Sequence, residues 1–195
     1  MGKYWLANNP NAQITNAEVT ELATISETDF GVVSDLTSTA AEINRACDKS
    51  ESVVTANDAT LAVTEALHGD RIIAFGKLTG TIVTLPAATG TGNKYTFIIS
   101  ITATSNANII KVANATDVMN GSLAFQQDTD SDGTSKMWMA EVADDTITLA
   151  GAETTGGIIG NRVECIDYAS GFWSCTVYSI SGGGSEVTPF SATVS

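Results

Sequence analysis

Four stretches of this chain bring together residue types that chemistry uses. Asp128-Thr129-Asp130-Ser131-Asp132-Gly133 sets carboxylates two apart ahead of a glycine. That is how a calcium loop opens, each carboxylate offering a hard oxygen ligand. The pattern then breaks, because Met139 stands where the bidentate acid belongs and Glu141 comes two residues late; an exposed hairpin tip is expected. Glu141 with Asp144 and Asp145 poses as a pair of carboxylates for sugar hydrolysis, one acid and one base or nucleophile. Between strands such acids are expected to be solvated turn residues. His68 is the single histidine, and an imidazole without an assigned Ser or Cys partner makes no triad; a linker histidine is expected. Gly90-Thr91-Gly92 resembles a phosphate loop but lacks the Gly-Lys-Ser/Thr ending and a following helix, so it reads as a tight turn. No catalytic residue, metal ligand or cofactor is assigned, and the chain reads as a non-enzyme.

Two further signals concern packing. Cys47, Cys165 and Cys175 are too few for a disulfide framework and match no metal spacing. NRVECIDY-ASG-FWSCTVYS reads as a hairpin whose Gly171 takes the left-handed position of a bulge. Val163, Cys165 and Asp167 then face Val177, Cys175 and Trp173, a register that a one-residue slip would spoil. The two cysteines lie opposite each other and are expected to be buried free thiols. Trp138, between two methionines, reads as a core residue of a strand, with an exposed sugar platform as the competing assignment.

Elements to hold such residues are legible along 195 residues. Hydrophobic residues make up 43%, enough for one good core. Lys and Arg total 9 against 22 Asp and Glu, a net charge of −13. That field repels phosphate, so neither nucleic acid nor an anionic membrane is an expected partner. MGKYWLANNPNAQ has no apolar run of signal-peptide length, Leu6 spoils a myristoylation signal, and folding in cytoplasm is expected. Asn114-Ala115-Thr116 and Asn120-Gly121-Ser122 match the glycosylation pattern only by chance on that reading.

Three regions follow: an extended, polar arm over 1–14, short helices and linker over 15–70, and a β-sandwich or jelly roll over 71–195. The arm carries Tyr4, Trp5 and Leu6 as apolar anchors. Thr15-x-x-Glu18 and Thr39-x-x-Glu42 fit the capping box, with Ser26-x-x-Asp29 and Thr55-x-x-Asp58 as weaker versions. Each precedes a short apolar set, including Val19 and Leu22, Phe30 and Val33, Ile43, and Leu61. Helices so short need another surface to lie on. Beyond residue 71, eight to ten short strands alternate with turn signals. In KYTFIISI, Tyr95, Phe97, Ile99 and Ile101 share a face, and Val83, Leu85, Ile110, Val112, Ile147, Leu149, Val163, Trp173 and Val177 complete the expected core. The Gly182-Gly183-Gly184 joint precedes a last strand that could exchange between subunits.

ISETDFGVVSDLTSTAAEINRACD, with Thr39-Ala40-Ala41-Glu42-Ile43-Asn44 inside it, resembles stretches in fibre and decoration proteins of tailed bacteriophages. GTIVTLPAATGTGNKYTFIIS, IIKVANATDVMNGSL, DTITLAG, TTGGIIGNRVECIDYASGFW and TPFSATVS resemble, in that order, phage virion structural proteins. The resemblance implies a trimeric, mainly β protein on the outer capsid surface of the virion. It would be a decoration (cement) protein whose partner is the major capsid protein of the shell. Tyr4, Trp5, Leu6, Val19, Leu22, Phe30, Val33 and Ile43 are then the expected shell and trimer contacts. The competing assignments are a head or tail fibre, or a module binding host glycans through Trp138, Trp173 and the acidic tips.

Overall fold

Runs of β-branched and aromatic residues separated by Gly, Asn and Asp fold as strands, because such side chains fit a pleated, half-buried surface. In the computed structural model the described residues are 4–5, 13–14, 52–128, 135–151, 154–181 and 186–194. The chain divides into two compact units, Met1–Asp48 and Lys49–Ser195. In the first unit the described elements are β1 (Tyr4–Trp5) and β2 (Gln13–Ile14), which pair antiparallel, so the chain reverses between them. The capping-box segments at 15–18, 26–29 and 39–42 lie outside the described residues.

The second unit is a two-sheet sandwich and begins earlier than residue 71. Its first six strands are β3 (Val53–Ala56), β4 (Thr60–Ala62), β5 (Ile72–Phe75), β6 (Ile82–Thr84), β7 (Lys94–Ile99) and β8 (Asn108–Lys111). They alternate between the two sheets. Thus β3, β5 and β7 lie parallel in one, and β4, β6 and β8 lie parallel in the other. The chain therefore winds three times around a common core. Thr55-x-x-Asp58 is not a helix start: the β-branched run Val53-Val54-Thr55 makes β3, Leu61 belongs to β4, and the Asp58 carbonyl accepts Thr81 Oγ1 at 2.8 Å. The described helix of this unit is the single turn α1 (Glu65–His68).

Each winding needs tight corners. Gly80 has φ +77 and lies against the Asn106 and Ala107 carbonyls, so a Cβ there would strike backbone. Ser100 Oγ donates to the Phe75 carbonyl at 2.8 Å, tying one corner to the one before it.

The remaining strands run mostly antiparallel: β9 (Leu123–Asp128), β10 (Ser135–Met139), β11 (Thr146–Leu149), β12 (Arg162–Ala169), β13 (Phe172–Ser181) and β14 (Phe190–Ser191). The sheet orders are β10-β9-β13-β12-β7-β5-β3 and β14-β11-β8-β6-β4. With parallel pairs throughout the winding and between β9 and β13, the topology departs from a jelly roll, whose sheets are antiparallel Greek keys. The last strand pairs with β11 of its own chain.

One apolar cluster joins both sheets. Ile73, Phe75, Phe97, Val163, Trp173 and Val177 from the seven-stranded sheet meet Val83, Ile110, Ile147 and Leu149 from the other. All nine expected core positions outside KYTFIISI are buried, as are Tyr95, Phe97 and Ile99. Ile101 lies past the end of β7 and is exposed.

Candidate interaction surface

Among the described residues that read as chemistry, Asp167, Asp145 and His68 are buried and hydrogen-bonded within the fold. Asp167 is the clearest. It faces inward from β12, and its carboxylate sits in the loop formed by Thr89, Gly90 and Thr91. Oδ1 accepts the Gly90 N–H at 2.7 Å and the Thr89 N–H at 3.0 Å. Oδ2 accepts the Thr91 N–H at 3.2 Å and Thr91 Oγ1 at 2.9 Å. Successive N–H groups converging on one anion form a nest, and Gly90, at φ +79, supplies the left-handed step that turns them together. The Gly90-Thr91-Gly92 turn is thus an anion cradle, and its anion comes from the protein itself. Burial pushes the Asp167 carboxyl up, but the hydrogen bonds from Gly90, Thr89 and Thr91 outweigh it and hold the group below the usual carboxylate range.

Asp145 also differs from the expected solvated acid. It is buried, and Oδ1 accepts Thr146 Oγ1 at 2.8 Å and the Thr193 N–H at 2.8 Å, stapling the C-terminal segment. Asp144 accepts the Glu141 N–H at 2.7 Å in an exposed turn. Asn114, in the glycosylation-like triplet, folds its Oδ1 onto the Thr116 and Asp117 N–H groups at 2.9 and 3.0 Å. His68 ends α1 in the connection between β4 and β5, as a linker residue would, and is buried there. Its Nδ1 accepts the Thr64 N–H at 3.0 Å, and burial lowers its pKa. Among the described residues, no three His, Cys, Asp or Glu side chains gather as a cation site. Past Asp128 the calcium-like stretch lies outside the described residues, to 134.

The outer face of the seven-stranded sheet is built in the opposite way. Residues of alternate parity point away from the core and line up across strands. One row runs Met137, Phe125, Tyr178, Arg162, Ile98, Ala74, Thr55, crossing all seven strands. The next runs Met139, Leu123, Thr176, Glu164, Thr96, Ile72, Val53. Phe125 stacks on Tyr178 with centroids 5.5 Å apart at 12°, and the Arg162 guanidinium lies 5.0 Å from the Tyr178 ring centroid. Tyr168 and Phe172 form a tilted pair at the hairpin end. Met137 and Met139, on the edge strand β10, are 65% and 68% exposed.

The charges on these rows and beside them pair, two cations sharing one carboxylate. Glu164 meets Lys94 Nζ at 3.1 Å and Arg162 Nε at 3.6 Å. A groove of about 500 Å³, lined among others by Phe125, Gln127, Met137, Asn161 and Tyr178, opens beside the aromatic stack. The outer face of the five-stranded sheet is plainer. Its central row is Thr60, Ile82, Ile109, Thr148, with no aromatic residue.

Of the residues expected to make contacts, Tyr4 and Trp5 form β1, opposite Ile14 and Gln13. Leu6, Val19, Leu22, Phe30, Val33 and Ile43 lie outside the described residues. The two tryptophans offered as sugar platforms do not serve as such. Trp173 is fully buried. Trp138 packs against the core and donates Nε1 to Gln126 Oε1 at 3.1 Å. Sequence reading passed over Phe125, Tyr168, Phe172 and Tyr178. Their signal is present in FWSCTVYS, where Phe172 and Tyr178 carry bulk on the face opposite Trp173, Cys175 and Val177. A strand buried on one side only needs no such bulk on the other.

The chain matches no protein-family model, no curated protein and no solved structure.

Proposed function

We propose that this protein works by surface contact alone, as a bacteriophage capsid decoration (cement) protein. It would bind the outer shell as a homotrimer and bridge neighbouring copies of the major capsid protein. The observation that carries the contact function is the aromatic and methionine-rich outer face of the seven-stranded sheet. Apolar patches of this kind on a soluble domain mark interaction sites. The phage phrases between residues 25 and 195 support the placement on a virion.

The occupant of that face is a second copy of the chain. Copies with a net charge of −13 repel one another, and they approach at least cost where the surface carries no excess of acid. Here the only acid on the two central rows, Glu164, is already paired. Seven strands about 4.8 Å apart and about 20 Å long present a projected face of roughly 600 Å². A stable interface takes about 800 Å² of accessible surface per partner, so this face, shared between two neighbours, supplies part of each contact and other segments of the chain must add the rest. Around a three-fold axis the contact is heterologous, one flank of the face meeting a different flank of the next copy. Tyr4, Trp5 and the other apolar residues of 1–50 are left to clasp the shell. Three such arms on one trimer raise avidity through effective concentration.

Light scattering on the purified chain should return three times the monomer mass. Tyr178→Glu, at the centre of the face, should return the monomer with an unchanged circular-dichroism spectrum. Shells lacking the protein should regain heat resistance when wild type is added, and deletion of residues 1–14 should abolish that binding. A stable wild-type monomer at micromolar concentration, or bare shells as tough as decorated ones, would overturn the proposal.

A second reading, a glycan-binding face at a fibre tip, is favoured by one observation. The stacked Phe125–Tyr178 pair borders a groove that also offers the exposed amide of Gln127, the mix of ring face and amide that sugars use. Glycan arrays probed with wild type and Tyr178→Ala decide it: saturable binding lost in the variant favours the fibre reading, and silence removes it.

A further inference from the structure

Cys165 and Cys175 face each other across β12 and β13, both buried, with Sγ atoms 3.1 Å apart. Their backbone setting matters as much as that distance. The Cys175 N–H donates to Ser122 Oγ at 2.7 Å, not to the strand opposite. Two residues along, the Trp173 N–H donates to the Val118 carbonyl and the Asp167 N–H to the Asn93 carbonyl. Pairs two apart on an antiparallel ladder are of one kind. The Cys165–Cys175 pair is therefore a non-hydrogen-bonded one, the kind in which Cα atoms approach most closely, to about 4.5 Å. That falls at the short end of the span a disulfide bridges, about 4.4 to 6.8 Å. In the hydrogen-bonded kind the side chains stand further apart.

We infer that this pair is a disulfide-forming site: two free thiols held in register to close a cross-strand bond when a small peroxide-class oxidant reaches them. One sulfur, as thiolate, attacks the O–O bond of hydrogen peroxide, becoming a sulfenic acid and releasing hydroxide, which leaves as water. The second sulfur then attacks the first, expels the hydroxyl as another water, and the S–S bond closes. In sum, two thiols and one peroxide give one disulfide and two waters, the sulfurs losing two electrons. Burial pushes the Cys165 thiol up, so little thiolate is present and the first step is slow. The second step is fast, because its partner is already in place. The bond would clamp β12, which borders the winding at β7, to β13, which borders β9.

The test uses the full-length protein with and without the Cys47→Ser change, incubated with hydrogen peroxide, then denatured and titrated with a thiol reagent. The expected count falls from three thiols to one in wild type, and from two to none in Cys47→Ser, with an intact mass lower by two hydrogens. Chymotrypsin, which cuts after Tyr168 and Phe172, should release Cys165 and Cys175 on peptides that separate only after reduction. Cys175→Ser should show no mass loss. If that variant fails to fold, the thiol count in Cys47→Ser decides alone. Added oxygen without linked peptides, or a link made only through Cys47 between chains, would overturn the assignment.

Discussion

The loop carboxylates and the outer face of the seven-stranded sheet invert the usual relation of charge to surface. Asp167 and Asp145 are acidic side chains taken inside and supplied with several donors each. Phe125, Tyr178, Met137 and Met139 are apolar groups left outside, with more than a third of each exposed. An acid that accepts several backbone N–H groups has few lone pairs to spare for a substrate, and its removal takes a shared charged acceptor from all of those donors at once. An exposed aromatic row contributes little to its own fold and gains only when something covers it, roughly 1.5–3 kcal/mol for each large side chain fully buried. The acids brace loops of the sandwich, and the apolar face stays uncovered in the single chain.

This contrast is sharpest at Asp167. Asp167→Ala would orphan the Thr89, Gly90 and Thr91 N–H groups together, and a loss of about 3 kcal/mol or more in urea unfolding is expected. A loss under about 1 kcal/mol would mean that the loop closes without its anion. Asp145→Ala should come next, at about 2 kcal/mol. Its mark would be faster hydrogen exchange at Thr193 and Val194, whose N–H groups it holds.

Acid gives a third test. The Asp167 carboxyl lies below its ordinary value when folded. Its contribution is therefore complete above the unfolded pKa, about 3.9. It fades as pH falls from there through the lower folded value. The stability gap between wild type and Asp167→Asn should hold from neutral pH to about 5 and narrow below 4. A gap that widens with acid would reverse the sign of the argument.

The smallest effect on folding is expected at the outer face. Met137→Ser and Met139→Ser should shift stability by under about 0.5 kcal/mol while weakening self-association measurably by sedimentation. If either unfolds the domain, the face belongs to the core and the contrast is lost.

What could be read beforehand follows from how local each signal is. The β12–β13 hairpin was legible up to its tip, since alternation, a Gly171 turn and apolar-on-apolar pairing all lie within twenty positions; Ala169, expected in a three-residue loop, instead pairs with Phe172 past a register shift. Each of the pairs Val163–Val177, Cys165–Cys175 and Asp167–Trp173 forms as expected. The winding of β3 to β8 was not legible. Its partners stand about twenty residues apart, and a corner such as that at Gly80 looks like any loop. The Asp167 cradle escaped for the same reason, its two halves being 77 positions apart at Gly90. For the surface, alternation identifies two sides of a strand, but only the fold says which one meets a second sheet.

One consequence of the winding concerns size. Successive turns stack in register, Val53 on Ile72 on Thr96, and β3 and β4 terminate their respective sheets at the same end. A domain made this way lengthens in whole steps. Duplicating one turn of about twenty residues would add a strand to each layer and extend the interior by one slice, leaving the hairpins at the far side unaltered. Relatives of this architecture should therefore differ in thickness by integral increments rather than by ragged loop insertions.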